Sequence, residues 1–299
     1  MRKSLATMLL LAALSGGAWA AASFEDAAAQ FSAKKYSEAR RSAEALAKSG
    51  DARAMAMLGA IYQNGYGTTP NEDEAIRWYT AAADKGDPDA QFSLAMIYLD
   101  GKRGVTMIGK GEALLEKAAA NGHPIAAFNL AMLLTGEQTG AVDWPRIAGL
   151  LRTAADQGLA DAQYNLGLLY LDGQGVEKSS IEAAKLFAKA AQQGQVDAEL
   201  QYGVMVFRGE GVAQNMKIGA EWLLSSAQHG NPIAQNRIAR VLATGQGLPA
   251  DPIEAAKWHI LATKAGRADA WLDDFTRSLT IDEMQQAEDR AASFEATPQ

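Results

Sequence analysis

Seven glycines stand 36 residues apart without a gap: Gly50, Gly86, Gly122, Gly158, Gly194, Gly230 and Gly266. Composition alone does not produce such spacing, so the chain is built from a repeated unit. Alanine keeps the same register at Ala54, Ala90, Ala126, Ala162, Ala198, Ala234 and Ala270. After each of the first six alanines, a fixed step along the chain brings a large side chain: Leu58, Leu94, Leu130, Leu166, Tyr202 and Ile238. The next residue is always small: Gly59, Ala95, Ala131, Gly167, Gly203 and Ala239. A small residue beside a large one lets a neighbouring helix approach closely, so the pair marks a contact inside each unit.

Each unit reads as two helices. In the second, the first helix is expected over Pro88 to Leu99, with Asp87 as its cap and proline in its first turn. A glycine turn from Gly101 to Gly104 follows, then a second helix from about Met107 to Ala120, stopped by Asn121-Gly122. No segment sustains period-two alternation, so the expected fold class is all-α.

The motif A-x-x-x-L-G-x-x-Y-x-x-G-x-G-V stands in this chain as "AMAMLGAIYQNGYG", "AQYNLGLLYLDGQGV" and "AELQYGVMVFRGEGV", with "AIRWYTAAADKG" and "AAKLFAKAAQQG" as second helices. It resembles the Sel-one-like repeat, a relative of the tetratricopeptide repeat. The resemblance implies a right-handed α-solenoid of stacked helix-turn-helix units, here six, at 51–86, 87–122, 123–158, 159–194, 195–230 and 231–266. The third unit departs from the pattern: "AFNLAMLLTGEQTGAVDW" moves its glycines to Gly136 and Gly140 and puts Leu134 where the tyrosine belongs. Residues 21–50 read as a capping hairpin of tetratricopeptide type, with Tyr36 and Ala39 on its second helix. Residues 267–299 read as closing helices, the last opened by a Thr280–Glu283 capping box, with "EATPQ" expected to fray.

Residues 1–20 have the order of a signal peptide: Arg2 and Lys3, an apolar run from Leu5 to Leu14, then Ala18-Trp19-Ala20. Cleavage is expected after Ala20, and the location is then periplasmic or secreted. There is no cysteine, which excludes a lipidated thiol, a disulfide framework and a thiolate nucleophile. Taking Arg2 and Lys3 from 28 basic residues leaves 26 against 35 acidic ones, a net of −9. That balance argues against a nucleic-acid partner, which needs a basic face.

No residue set spells out a reaction. His123 and His229 lie in turns between units and are expected to face solvent, while His259 follows Trp258 on a second helix. H-E-x-x-H, G-x-S-x-G and P-loop signatures are missing, so neither metal nor cofactor is expected. "GQGVEK" and "GEGVAQ" resemble phosphate cradles, but they recur between helices and read as turns. Trp78, Trp222 and Trp258 share one second-helix position with Leu114, Leu150 and Leu186, and read as core.

One face exceeds what the fold needs. With Leu94 pointing inward, a turn of about 100° per residue puts Phe92, Met96 and Leu99 on the other side, where surface helices carry polar groups. Phe128 and Met132 repeat this in the third unit, Tyr164, Leu168 and Leu171 in the fourth, and Leu200, Val204 and Phe207 in the fifth. The sixth has Asn236 and Arg240, and the first only Ala56 and Ala60. In tetratricopeptide-type solenoids the equivalent positions line the concave wall. On that resemblance Phe92, Met96, Phe128, Met132, Tyr164, Leu168, Leu200 and Val204 form a groove for a protein or peptide partner. The other reading has superhelical curvature packing them against the next first helix.

The family resemblance implies a non-catalytic scaffold in the cell envelope, acting in signalling, polysaccharide export or secretion. The competing classes are an enzyme that binds or hydrolyses β-lactams and a self-assembling structural element. The partner-binding reading is preferred because no activated serine is visible and the ends look capped.

Overall fold

The structure is a computed structural model that describes residues 23–100, 105–136 and 142–297. The signal-peptide segment, the Gly101–Gly104 turn and Gly140 lie outside the described residues. Among those described there are sixteen helices and no strand. They fall into two compact units, residues 1–94 and 95–299.

The first unit holds α1 (Phe24–Ser32), α2 (Tyr36–Lys48), α3 (Ala52–Asn64) and α4 (Glu72–Ala83), each packed on the next. It also holds α5 (Pro88–Leu99) as far as Leu94. Asp87 caps α5 by accepting the Ala90 N–H at 2.8 Å. Phe31, Tyr36 and Tyr66 form an aromatic cluster with ring centroids 5.0 to 5.2 Å apart. It ties the opening hairpin to the loop after α3.

The second unit continues with α6 (Val105–Ala120), α7 (Pro124–Gly136), α8 (Trp144–Asp156), α9 (Ala160–Asp172) and α10 (Ser180–Ala191). Then come α11 (Val196–Arg208), α12 (Met216–Gln228), α13 (Pro232–Thr244), α14 (Pro252–Lys264), α15 (Ala270–Arg277) and α16 (Ile281–Ala292). From α6 to α14 each helix packs on its successor, and α16 closes over α14. The third repeat, despite its altered motif, forms the same pair of helices, α7 and α8.

The repeated residues explain themselves here. Ala54, Ala90, Ala126, Ala162, Ala198 and Ala234 are fully buried. Ala270, the first residue of α15, is exposed. Leu58, Leu94, Leu130, Leu166 and Ile238 are buried, each such side chain contributing about 1.5–3 kcal/mol. The small residue beside them receives the second helix: a Cβ on Gly59 would lie 2.5 Å from the Tyr79 ring. On Gly203 it would lie 3.1 Å from the backbone of α12.

The second-helix core sits one position later than expected. Tyr79, Leu115, Leu151, Phe187, Leu223 and His259 are buried, whereas Trp78, Leu114, Leu150, Leu186 and Trp222 are only half-buried. Apart from His259 both positions carry large apolar or aromatic side chains, and about 100° of helix rotation separates them. Trp258 is the exception, buried because Phe294 packs edge-on against it at 5.2 Å. The tail that was expected to fray is therefore docked as far as Thr297, whose N–H donates to the Gln228 carbonyl at 2.9 Å.

The glycines that resemble a phosphate cradle have a structural task. Gly211, in the left-handed region at φ 72°, lies against the carbonyl of Ser180 at the start of the preceding repeat's second helix. A side chain there would collide with backbone. Gly175 meets Trp144 and Gly247 meets Met216 in the same way, so this loop contact carries the 36-residue period from one repeat to the next.

Candidate functional site: an open first-helix surface and an arginine-lined concavity

The first helices present their apolar positions unequally. In the first unit Phe92 is half-buried. A concavity of about 310 Å³ lies nearby in that unit, lined by Phe24, Phe31, Arg53, Met57, Tyr79 and Ser93 among others, where Ala56 and Ala60 leave room.

In the second unit Met96 is 43% exposed, and Phe128, Met132, Leu168 and Val204 are half-buried. The Asn129 amide donates to the Met96 sulfur at 3.9 Å, a contact between neighbouring first helices that still leaves Met96 exposed. Two positions behave differently. Leu200 is buried in the core around α12 and α13. Tyr164 lays its ring against Phe187 of α10, centroids 5.7 Å apart. Burial pushes the Tyr164 phenol above its ordinary range, and the nearby Asp197 carboxylate adds to that. Tyr164, Leu168 and Val204 are each half-buried against a core cluster and Leu200 is buried in one, whereas Met96 is exposed and Met132 keeps part of its surface.

Leu99 and Phe207 do not belong to an outward face. They abut Gly111 and Gly219 of the facing second helix, where a Cβ would lie 2.7 Å from Leu99 Cγ and 2.5 Å from the Phe207 backbone nitrogen. The side chain one full turn plus a fraction beyond Leu94 or Tyr202 swings back toward the hairpin.

Val204 leads into a concavity of about 380 Å³ walled by Phe207, Leu223, Val241 and Trp271, with Arg208, Arg237 and Arg240 entering it. A second concavity of about 510 Å³ shares those three arginines and adds Asn236, Arg267 and Asp269. Arg240 binds Asp269 through two nitrogens, both at 2.7 Å, and Asn236 donates to the same carboxylate at 3.0 Å. Asp269 also caps α15 through the Trp271 and Leu272 N–H groups. The two-pronged Arg240 contact, helped by Asn236 and opposed by burial, holds the Asp269 carboxyl far below the usual carboxylate range. Arg240 lies 5.2 Å over the Trp271 ring. Sequence reading took Asn236 and Arg240 as the end of the apolar stripe. That change of residue type was the available signal for a different surface, and Arg208, Arg237 and Trp271 were missed.

His123 and His229, expected to face solvent, are half-buried. His229 Nδ1 lies 2.9 Å from Oε2 of the buried Glu199, whose Oε1 accepts the Ser225 hydroxyl at 3.0 Å. The carboxylate separates serine from imidazole, so the order is not that of a nucleophile beside its base. His123 Nδ1 caps α7 by accepting the Ala126 N–H at 3.0 Å. His259 is buried with Nε2 2.7 Å from Asp273. Among the described residues no cluster of three metal-ligating side chains occurs, and no helix is long and apolar enough to cross a membrane.

The fold defines a helical-repeat protein, and in its second unit Met96, Arg208 and Arg240 are exposed on first helices. The Sel1 repeat matches at residues 52–87, 88–123, 160–195, 196–231 and 232–266, more than half of the sequence, and the chain belongs to the Sel1 repeat family. The match passes over the third repeat, α7 and α8, whose loop glycines are displaced. Sel1 repeat proteins generally mediate protein–protein interaction. Among solved structures, a Sel1 repeat protein from Oxalobacter formigenes is 24% identical with a TM-score of 0.64, over 80% of this chain and 96% of that one. A protective antigen of uropathogenic Escherichia coli displaying an SLR fold is also 24% identical, with a TM-score of 0.58, over 91% of this chain and 68% of that one. Both likenesses concern the fold, an all-α solenoid of Sel1 repeats. The curated proteins contain no match to this chain.

Proposed function

We propose that this chain is an exported, non-catalytic scaffold that binds a protein or peptide of the cell envelope on the first helices of its second unit, regulating a signalling, polysaccharide or secretion system. Holding the exported domain of a sensor is the specific form preferred. One observation carries the reading: Met96, Met132, Leu168 and Val204 keep apolar surface at a register position where a surface helix ordinarily carries polar groups. Methionine and aliphatic side chains adapt to varied apolar partners, and an apolar stripe of this kind marks an interaction surface. Phe128 belongs to the same surface, and Phe92 is its counterpart in the first unit. The export half of the reading is supported by the order of charge, apolar run and small residues in the first twenty positions.

In-cell crosslinking followed by mass spectrometry tests this, comparing the unaltered protein with a Phe128→Ser, Met132→Ser variant and with Met216→Ser as the control on α12. Circular dichroism first establishes that all three are helical. A partner captured by the wild type and by Met216→Ser, but lost by the double variant, is expected. Capture of the same partners by all three would refute the first-helix surface.

A further inference from the structure

We propose that the concavity between α11, α13 and α15 binds an acidic segment of the partner, with a carboxylate side chain on Arg237 and an apolar neighbour between Phe207 and Trp271. This rests on the scaffold reading above and names the chemistry of what it binds.

The three arginines of this concavity are not equivalent. Arg240 is held by Asp269 in a two-pronged pair, and Arg208 has Glu210 at 3.4 Å. Arg237 is half-buried, its Nε is buried without a hydrogen-bond partner, and no carboxylate among the described residues pairs with it. Its surroundings work against its charge: burial first, then the Arg208 guanidinium, lower its pKa. A guanidinium nonetheless stays charged at neutral pH, so a cation is kept here at a cost. The chain does not lack acids, with 35 of them against 28 basic residues. An uncompensated arginine in so acidic a protein is a place where an incoming carboxylate gains most.

The walls set the rest of the ligand. Val204, Phe207, Leu223 and Val241 are apolar, and Trp271 is 44% exposed. A space of about 380 Å³ takes a few side chains rather than a folded domain. A planar fork favours a carboxylate, which it can grip with two parallel hydrogen bonds. The negative net charge of −7 disfavours a nucleic acid, whose phosphates would meet that field along their whole length.

The test is affinity selection by the purified protein from two libraries of acetylated, amidated hexapeptides, identical except that one fixes Glu and the other Gln at a central position. Wild type is expected to retain the Glu library at least tenfold over the Gln library, less so as salt rises. Arg237→Gln should abolish the preference and Arg237→Lys should keep part of it. Arg237→Gln is also expected to melt no lower than wild type, because it removes a charge that no carboxylate among the described residues pairs with. Equal retention of both libraries, or a Glu preference that survives Arg237→Gln, overturns the proposal. So does Arg237-dependent binding of inorganic phosphate or phosphatidylglycerol vesicles without a peptide preference. If the preference is missing while Phe128→Ser, Met132→Ser still loses its crosslinked partner, this inference fails and the scaffold reading stands. If that partner is kept as well, both fail.

Discussion

Gly167 on α9 lies so close to Phe187 on α10 that a Cβ added to it would sit 2.7 Å from the ring's Cε1. The same closeness recurs between Gly59 and Tyr79, so the repeat's two helices meet at a glycine and an aromatic ring. Alanine at Gly167 gains about 1 kcal/mol of helix propensity but forces a fully buried ring to move, at about 1–3 kcal/mol. The collision wins. Gly167→Ala should lower the urea midpoint, and Gly167→Ala with Phe187→Leu should be more stable than the sum of the two single losses. Strict additivity would show that the ring is not the obstacle.

Gly211→Ala is expected to be costlier. It combines a left-handed backbone at φ 72° with a collision against the Ser180 carbonyl, which has no rotamer by which to escape. The left-handed conformation costs about 1–2 kcal/mol and the overpacking a further 1–3 kcal/mol. Amide exchange should report loosening at α10 and α11 together, since the loop joins two repeats. Loosening of α11 alone would contradict the inter-repeat role.

The pair Arg240–Asp269 gives a pH dependence with a definite sign. The folded carboxyl titrates below its unfolded value of about 3.9, so its stabilisation is complete above that pH and is lost as pH falls through and below the ordinary carboxylate range. Asp269→Asn keeps a side chain able to cap α15 while removing the charge. It should cost about 1–2 kcal/mol at pH 7, with the gap to wild type closing toward acid. A gap that does not depend on pH would assign the loss to the cap instead.

Phe294→Ala should uncover Trp258, cost about 1–2 kcal/mol in stability and shift tryptophan emission to the red. An unchanged spectrum would mean that the tail does not cover the last repeat.

Most of the architecture was legible because a 36-residue period leaves few alternatives: each glycine past a second helix adopts positive φ, and the alanines in register from Ala54 to Ala234 are buried. The capping box at Thr280 and Glu283 is formed as read. The second-helix core was misplaced by one residue because in "RWYTA" both Trp78 and Tyr79 are large and apolar, and only the neighbouring glycine shows which one faces inward. The arginine concavity was illegible for a different reason. Arg208, Arg237 and Arg240 line one concavity from two helices, and that Arg237 has no carboxylate partner among the described residues is invisible in any one segment.

Two methionines of the second unit offer the most direct test of the first-helix surface. Met96 on α5 is 43% exposed and Met216 on α12 is 42% exposed, so an oxidant in solution should reach them about equally. Oxidative footprinting with and without the captured partner measures which one is covered. Slower oxidation of Met96 with Met216 unchanged is the result predicted for a partner lying on the first helices. Protection of Met216 with Met96 left open would place the partner on the second helices and contradict the account.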